Sequence, residues 1–343
     1  MKYLTSFYIC LMLIGALSAQ VTFQQKATEL GLTAIPGNGF IGFGVSHVDF
    51  NQDGFDDLTI GTEEGQTILF YENVNGQLFR QVSLGIANTD FQKVVLWADI
   101  NNDGDLDLFV GNYDGVNRLY ENSGNLTFTD ITNQSGIPNQ ISKTSSASFG
   151  DINSDGYLDL YYGNFCSNSC QNHLLISNGD NTFSDITVST GTQGDFGPTL
   201  ATGFFDYDSD LDADLYVSID KVWSNKLYEN DGMGNFTDVS ASSNSDTVVC
   251  AMNVGVGDIN NDRHLDVYVT NGFNGNVLYK NNGDKTFSDV TAQTGTAFNE
   301  ICWGGIFADY NNDGWQDLYV SNDYDPSNHP NRLFLNSPNH CIH

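Results

Sequence analysis

Along the chain, short apolar runs alternate with polar segments rich in Asp, Asn and Gly, and this pattern predicts strands throughout. Apolar segments such as residues 94–98 and 304–308 lead into an Asp-rich stretch. Behind it come β-branched and aromatic runs: Leu108-Phe109-Val110, Leu215-Tyr216-Val217, Val267-Tyr268-Val269 and Leu318-Tyr319-Val320. A Leu-Tyr-Glu-Asn segment gives a third strand, an Asn/Gly turn reverses it, and a Phe-Ser-Asp-Val-Thr segment gives a fourth.

This order repeats. The ten-residue pattern reads DFNQDGFDDL from Asp49, DINNDGDLDL from Asp99, DINSDGYLDL from Asp151, DYDSDLDADL from Asp206, DINNDRHLDV from Asp258 and DYNNDGWQDL from Asp309. Successive starts lie 50, 52, 55, 52 and 51 residues apart. Four antiparallel strands in roughly 50 residues is the size of a propeller blade. A solenoid of stacked strands would also repeat, though usually with a shorter period. The sixth repeat stops after its third strand, at residues 332–336, while residues 22–28 resemble the fourth-strand segment at 286–292. The expected fold is therefore all-β: a β-propeller of six four-stranded blades, with seven as the alternative, closed by the N-terminal strand.

In each Asp-rich loop, polar oxygens fall at positions one, three, five and nine, and position six is usually Gly. Alternate side chains around a sharp turn can wrap one hard cation, with the position-seven carbonyl completing a shell of six to eight oxygens, which suits Ca²⁺. The candidate ligands are Asp49, Asn51, Asp53, Phe55 and Asp57; Asp99, Asn101, Asp103, Asp105 and Asp107; and Asp151, Asn153, Asp155, Tyr157 and Asp159. The later loops offer Asp206, Asp208, Asp210, Asp212 and Asp214; Asp258, Asn260, Asp262, His264 and Asp266; and Asp309, Asn311, Asp313, Trp315 and Asp317. Phe55, Tyr157, His264 and Trp315 serve through their carbonyls alone. Solvated turns would explain one Asp per loop, but the six loops hold 22 of the 43 acidic residues. Up to six Ca²⁺ ions are expected, and six would move the net charge from −31 to −19. Leu211 and Arg263 replace the position-six Gly, so the fifth loop, with its added positive charge, is the weakest candidate. Flanking strands and the missing twelfth-position Glu exclude an EF-hand.

These residues resemble the FG-GAP, or VCBS, repeats of integrin α-subunit propellers and their bacterial relatives. The Phe-Gly element is visible as Phe43-Gly44 and Phe149-Gly150, and Asp49, Asn51, Asp53 and Asp57 match the calcium loop, as do the five later copies. The Phe-Xaa-Asp-Val-Thr strand is similar to the subgroup of cartilage acidic proteins with an ASPIC/UnbV module. The ending Asn339-His340-Cys341-Ile342-His343 suggests a truncated or divergent junction to such a module. The resemblance implies an extracellular, calcium-loaded propeller for adhesion or ligand binding, without naming the ligand.

Charge narrows the partners. With 43 acidic and 12 basic residues, the chain lacks the basic footprint that nucleic acid or anionic lipid requires. Residues 1–20 read as a secretory signal peptide: Lys2, an apolar core at 7–17, then the small residues Ala16, Ser18 and Ala19. The expected domains are a signal at 1–19 and a propeller at 20–343, secreted or at the cell surface, with no later segment apolar enough to span a membrane. Cys10 leaves with the signal. Cys166 and Cys170 can form a local disulfide, which an exported chain permits. Cys250 and Cys302 either face each other or are buried free thiols, and Cys341 is the odd one out.

No Gly-Xaa-Ser-Xaa-Gly elbow, phosphate-binding loop or His-Glu-Xaa-Xaa-His motif is present, and the six histidines read as scattered surface or loop residues. A non-enzymatic binding module for an extracellular protein or glycan is therefore expected. Its contacts are expected among the repeat's outliers at 167–171, Trp223 and 324–330. A calcium-dependent polysaccharide lyase or hydrolase is the alternative.

Overall fold

The computed structural model describes residues 25–37, 42–166, 171–221, 223–272, 275–298, 300–322 and 330–337. The signal segment, Cys10, Cys170, Cys341 and the outliers at 167–170 and 324–329 lie outside these residues.

The first sheet holds β1 (Val45–Val48), β2 (Asp57–Ile60), β3 (Leu69–Val74) and β4 (Leu78–Val82). The second repeat gives β5 (Phe91–Ala98), β6 (Asp107–Val116), β7 (Arg118–Asn122) and β8 (Phe128–Asp130), and the third gives β9 (Ile141–Gly150), β10 (Asp159–Asn164), β11 (His173–Ser177) and β12 (Phe183–Asp185). After the short helix α1 (Thr187–Thr190) come β13 (Thr199–Phe205), β14 (Asp214–Ile219), β15 (Lys226–Asn230) and β16 (Phe236–Asp238). Next are β17 (Ala251–Gly257), β18 (Asp266–Asn271), β19 (Val277–Asn281) and β20 (Phe287–Asp289), then α2 (Thr291–Thr294). The last repeat supplies β21 (Cys302–Ala308), β22 (Asp317–Asn322) and β23 (Arg332–Phe334).

Within each repeat the strands pair in sequence order and antiparallel, and β6 also pairs with β9 to join two repeats. In five repeats the first pairing slips register at its end farther from the Asp loop, as between Thr199 and Ala201. A bulge there adds local twist.

The core is divided among neighbouring repeats. One apolar cluster joins repeats one and two through Phe70 and Trp97, and another joins two and three through Phe109 and Tyr162. Further clusters join three to four through Tyr161 and Val217, four to five through Leu227 and Val269, and five to six through Leu278 and Val320. In repeats two to five the second strand lies between two such cores, and β10, β14 and β18 are buried at every position. That explains why these strands read as continuous apolar runs and do not alternate. The structure is all-β and propeller-like.

Residues 26–32 form a turn, with Leu30 N–H donating to Lys26 O at 2.8 Å and Leu32 N–H to Ala27 O at 2.8 Å. Leu30 O then accepts Phe79 N–H of β4 at 2.7 Å. The turns after β8 and β16 dock in the same way: Ser135 O accepts Phe183 N–H at 2.7 Å and Ser243 O accepts Phe287 N–H at 2.8 Å. In sequence position, residues 26–32 thus match the turn that ends a preceding repeat. Of the strand expected at 22–28, residues 22–24 lie outside the described residues and 25–28 form no strand.

Cys250 and Cys302 are free thiols, with Cys302 Sγ buried against Asn276 Nδ2 at 3.3 Å. Cys166 is disulfide-bonded.

Gly31 has φ +90°, and a Cβ on it would meet Phe79 O at 2.5 Å; Gly136, at φ +79°, would meet Phe183 O at 2.3 Å. Gly31→Val and Gly136→Val are each expected to cost about 2 kcal/mol or more, from the left-handed backbone and the blocked docking. Urea unfolding checks this; a neutral Gly31→Val would show that the N-terminal turn is not a structural part of β4's neighbourhood.

Candidate metal centre

Each Asp-rich loop connects the first and second strands of a repeat, and one hydrogen-bond scheme builds all six. The position-one carboxylate takes two backbone donors. Asp99 accepts Asp103 N–H at 3.2 Å and Gly104 N–H at 2.9 Å, and Asp309 accepts Asp313 N–H at 3.0 Å and Gly314 N–H at 2.8 Å. Asp49, Asp151, Asp206 and Asp258 do the same. The position-three oxygen of Asn51, Asn101, Asn153, Asp208, Asn260 or Asn311 accepts the position-five N–H. The position-five carboxylate of Asp53, Asp103, Asp155, Asp210, Asp262 or Asp313 then accepts the position-seven N–H at 2.9–3.0 Å. Leu211 and Arg263 follow the glycines into left-handed backbone, at φ 78° and 74°.

Position nine lies beneath the loop. Asp57, Asp107, Asp159, Asp214, Asp266 and Asp317 are 0–1% exposed. Their Oδ1 atoms accept N–H groups from the end of the third strand, such as Asn122 at 2.8 Å and Asn336 at 2.7 Å. Except in Asp57, Oδ2 accepts the position-two N–H, as from Ile152 to Asp159 at 3.0 Å. Burial, aided by the neighbouring loop carboxylates, pushes Asp107 and Asp214 up to about 7 and Asp159 and Asp266 up to about 6. Asp57 and Asp317 are raised from the same cause. The backbone donors only partly offset this.

The donor set fits a hard cation. Every side-chain candidate is an oxygen, and the position-nine carboxylates are raised by burial and by the loop carboxylates above them, which a divalent charge would relieve. Asp57 Oδ2 is buried without a hydrogen-bond partner. In the fourth loop, Asp206, Asp208 and Asp210 bring ligand oxygens within 4.8 Å of one another. Asp105 and Asp212, at position seven, donate their backbone N–H groups to position five.

Several features escaped sequence reasoning. His173 is not a surface residue: it is 5% exposed, stacks on Tyr162 at 4.9 Å and pairs with Asp185 at 2.8 Å. Repeats two and four place Arg118–Asp130 and Lys226–Asp238 in the equivalent position, a relation visible only once the strands are aligned. Trp223 is partly buried against the core shared by repeats three and four. The linker after β4 is two residues shorter than its counterpart after β8, counting from Val82 to Ile86 and from Ile131 to Ile137. Beside it opens a pocket of about 390 Å³ lined by Asn88, Asp90, Arg118, Tyr120, Phe128 and Asp130. There the Arg118–Asp130 pair is loose, at 3.6 Å.

Sheets packed through shared cores, each opening on one Asp loop, define a propeller-like repeat protein. The chain belongs to the FG-GAP-like repeat family, whose model matches residues 49–110, 99–162, 206–269 and 258–320. It is similar to cartilage acidic protein 1 of Xenopus tropicalis, 29% identical over 33% of this chain and 18% of that protein, and to that of Mus musculus, 25% identical over 51% and 29%. It thus spans less than a third of the length of these relatives. A solved structure of an Agrocybe aegerita lectin that recognises non-reducing terminal N-acetylglucosamine shares the fold, with TM-score 0.51 and 18% identity over 81% of this chain and 74% of that chain. Among the described residues, no helix is long and apolar enough to cross a membrane.

Burial alone would raise the Asp185 carboxyl, but bonds from His173 and Thr187 bring it down from 3.8 to about 2. A depressed folded value stabilises above the unfolded one and fades as pH falls through about 2. Asp185→Asn should therefore cost about 1–2 kcal/mol at pH 6, from the lost charge-assisted bonds. In urea titrations the gap to wild type should close as pH falls from 3.8 to about 2; a pH-independent gap would refute the assignment.

Proposed function

We propose that the protein is an extracellular calcium-binding β-propeller that acts as a ligand-binding module and not as an enzyme. The buried position-nine carboxylates carry the calcium reading. Each is a charge held beneath a loop of further carboxylates, and Ca²⁺ would neutralise that assembly while leaving the backbone scheme intact. At a Kd near 10⁻⁴ M and millimolar calcium, each filled loop would add about 1.4 kcal/mol.

The ring has six blades in this reading. The docked turn at 26–32 occupies the place that the end of a preceding blade occupies elsewhere, which supports closure by the N-terminal segment; the Gly31→Val comparison tests it. Export is supported by the signal-like start and by the disulfide at Cys166. Ligand contact is assigned to the pocket beside Arg118, where the repeat is broken and guanidinium, carboxylate and aromatic groups converge. A glycan suits those groups, and the shared fold with a sugar-recognising lectin is consistent with one.

Two measurements test the reading. The mature chain should retain four to six calcium ions, and chelation should lower its melting temperature by roughly 10 °C or more; zero or one ion with unchanged melting sinks the calcium assignment. On an immobilised glycan panel in calcium, the protein should bind at least one saccharide class without releasing product, and Arg118→Ala should weaken that binding about tenfold or more. Cleaved product would favour the lyase or hydrolase alternative.

A further inference from the structure

The six loops are joined to one another. Position four is left-handed in every loop, at φ 60° in Gln52, 59° in Asn102, 57° in Ser154, 67° in Ser209, 58° in Asn261 and 57° in Asn312. Side chains rarely adopt this backbone, and here it aims position four at the next repeat. Gln52 Nε2 donates to Gly104 O, Asn102 Nδ2 to Gly156 O at 2.8 Å, and Asn261 Nδ2 to Gly314 O at 3.1 Å. Between the fourth and fifth loops, Ser209 Oγ meets His264 Nδ1 at 3.2 Å.

The acceptor carbonyls have a particular place. The peptide whose carbonyl belongs to Gly156 has Tyr157 N–H as its other end, and that N–H donates to the Asp155 carboxylate at 2.9 Å. One rigid peptide plane is thus held by a candidate ligand of its own loop and by a side chain of the preceding loop. Gly104 and Gly314 stand in the same position, through Asp105 N–H on Asp103 and Trp315 N–H on Asp313. A second link runs the other way. Asn230, Asn281 and Asn336, at or just after the third strand of their repeats, donate to the position-two carbonyls of the preceding loops: Ile152 at 2.7 Å, Tyr207 at 2.7 Å and Ile259 at 2.6 Å. Every consecutive pair of loops is bridged. The third repeat has Ser177 in place of that Asn, so Asn102 is the one such bridge between loops two and three among the described residues.

We propose that these bridges make the loops one coupled belt, in which ordering one loop preorganises the next, so that calcium fills neighbouring loops cooperatively. The calcium half of the proposal rests on the reading above; the mechanical half does not. Asn102 acts as a positioning residue and contributes no ligand.

Asn102→Ala removes an exposed side chain, and Ser154→Ala, at the same position of a loop with no such bond, is its control. In calcium-free protein, hydrogen exchange at the amides of residues 155–157 should be about fivefold faster in Asn102→Ala, the equilibrium value of one hydrogen bond. In calcium titrations the variant should bind the wild-type number of ions along a shallower curve, while Ser154→Ala follows wild type. Unchanged exchange at 155–157 overturns the link. Unchanged steepness with ions bound overturns the cooperativity and leaves the calcium reading standing. If no ion binds, the calcium reading fails and the exchange measurement still decides the belt.

Discussion

The carboxylate at position nine holds the architecture together. It is buried, it receives backbone N–H groups from two directions in five of the six repeats, and it thereby fixes where the loop ends and where the third strand stops. Asn, of the same size, would offer one neutral oxygen to these donors, where the carboxylate offers two oxygens facing two directions and charge-assisted bonds to both. The cost is a charge placed under other charges, which burial expresses as carboxyls raised to about 6–7. A loop built this way is geometrically complete without a cation and electrostatically incomplete. That combination suits a binding site better than a solvated turn.

The blade-to-blade contacts follow from the same repetition. Because the second strands of repeats two to five sit between two apolar cores, their residues must be hydrophobic on both faces, and the chain spends its best β-formers there. Among the described residues, the outer face of the sixth repeat is the more open one. Leu119, Leu174, Leu227 and Leu278 are 0% exposed, whereas the equivalent Leu333 is 37% exposed. Ile306 and Val45 are likewise open, at 58% and 63%. These three side chains lie on the two faces that ring closure would bring together.

The strand order, the repeat boundaries and the loop positions were legible because each depends on residue type at fixed spacing: Asp at one, five and nine, Gly at six, and β-branched runs behind them. The left-handed backbone at position six of the fourth and fifth loops was legible too, by homology with the glycines around it. Less was visible where geometry depends on neighbours in space. Position four is Asn in three loops, a residue that tolerates left-handed backbone, but Gln52, Ser154 and Ser209 carry no such signal. His173 looked like a loop residue because its burial comes from Tyr162 and its charge partner from the adjacent strand. The pocket beside Arg118 comes with a two-residue shortening that only an alignment of the repeats exposes.

The fourth loop shows how departures from the repeat compensate one another. It carries Asp208 where the other five loops carry Asn, adding a carboxylate to the crowd, and Leu211 where Gly is usual, adding backbone strain. Leu211 is 89% exposed, so packing does not repay that strain. The extra carboxylate is met by Lys285 of the next repeat, whose Nζ lies 2.6 Å from Asp208 and 2.9 Å from Glu229. In the third repeat the equivalent residue, Asn181, reaches only Glu121, the counterpart of Glu229. The change to Lys thus accompanies the change to Asp and offsets one of the five carboxylates of the fourth loop, the most acidic of the six. The added carboxylate is thus met from the next repeat and not from within its own, across the same kind of boundary that position four of one loop spans to reach the next.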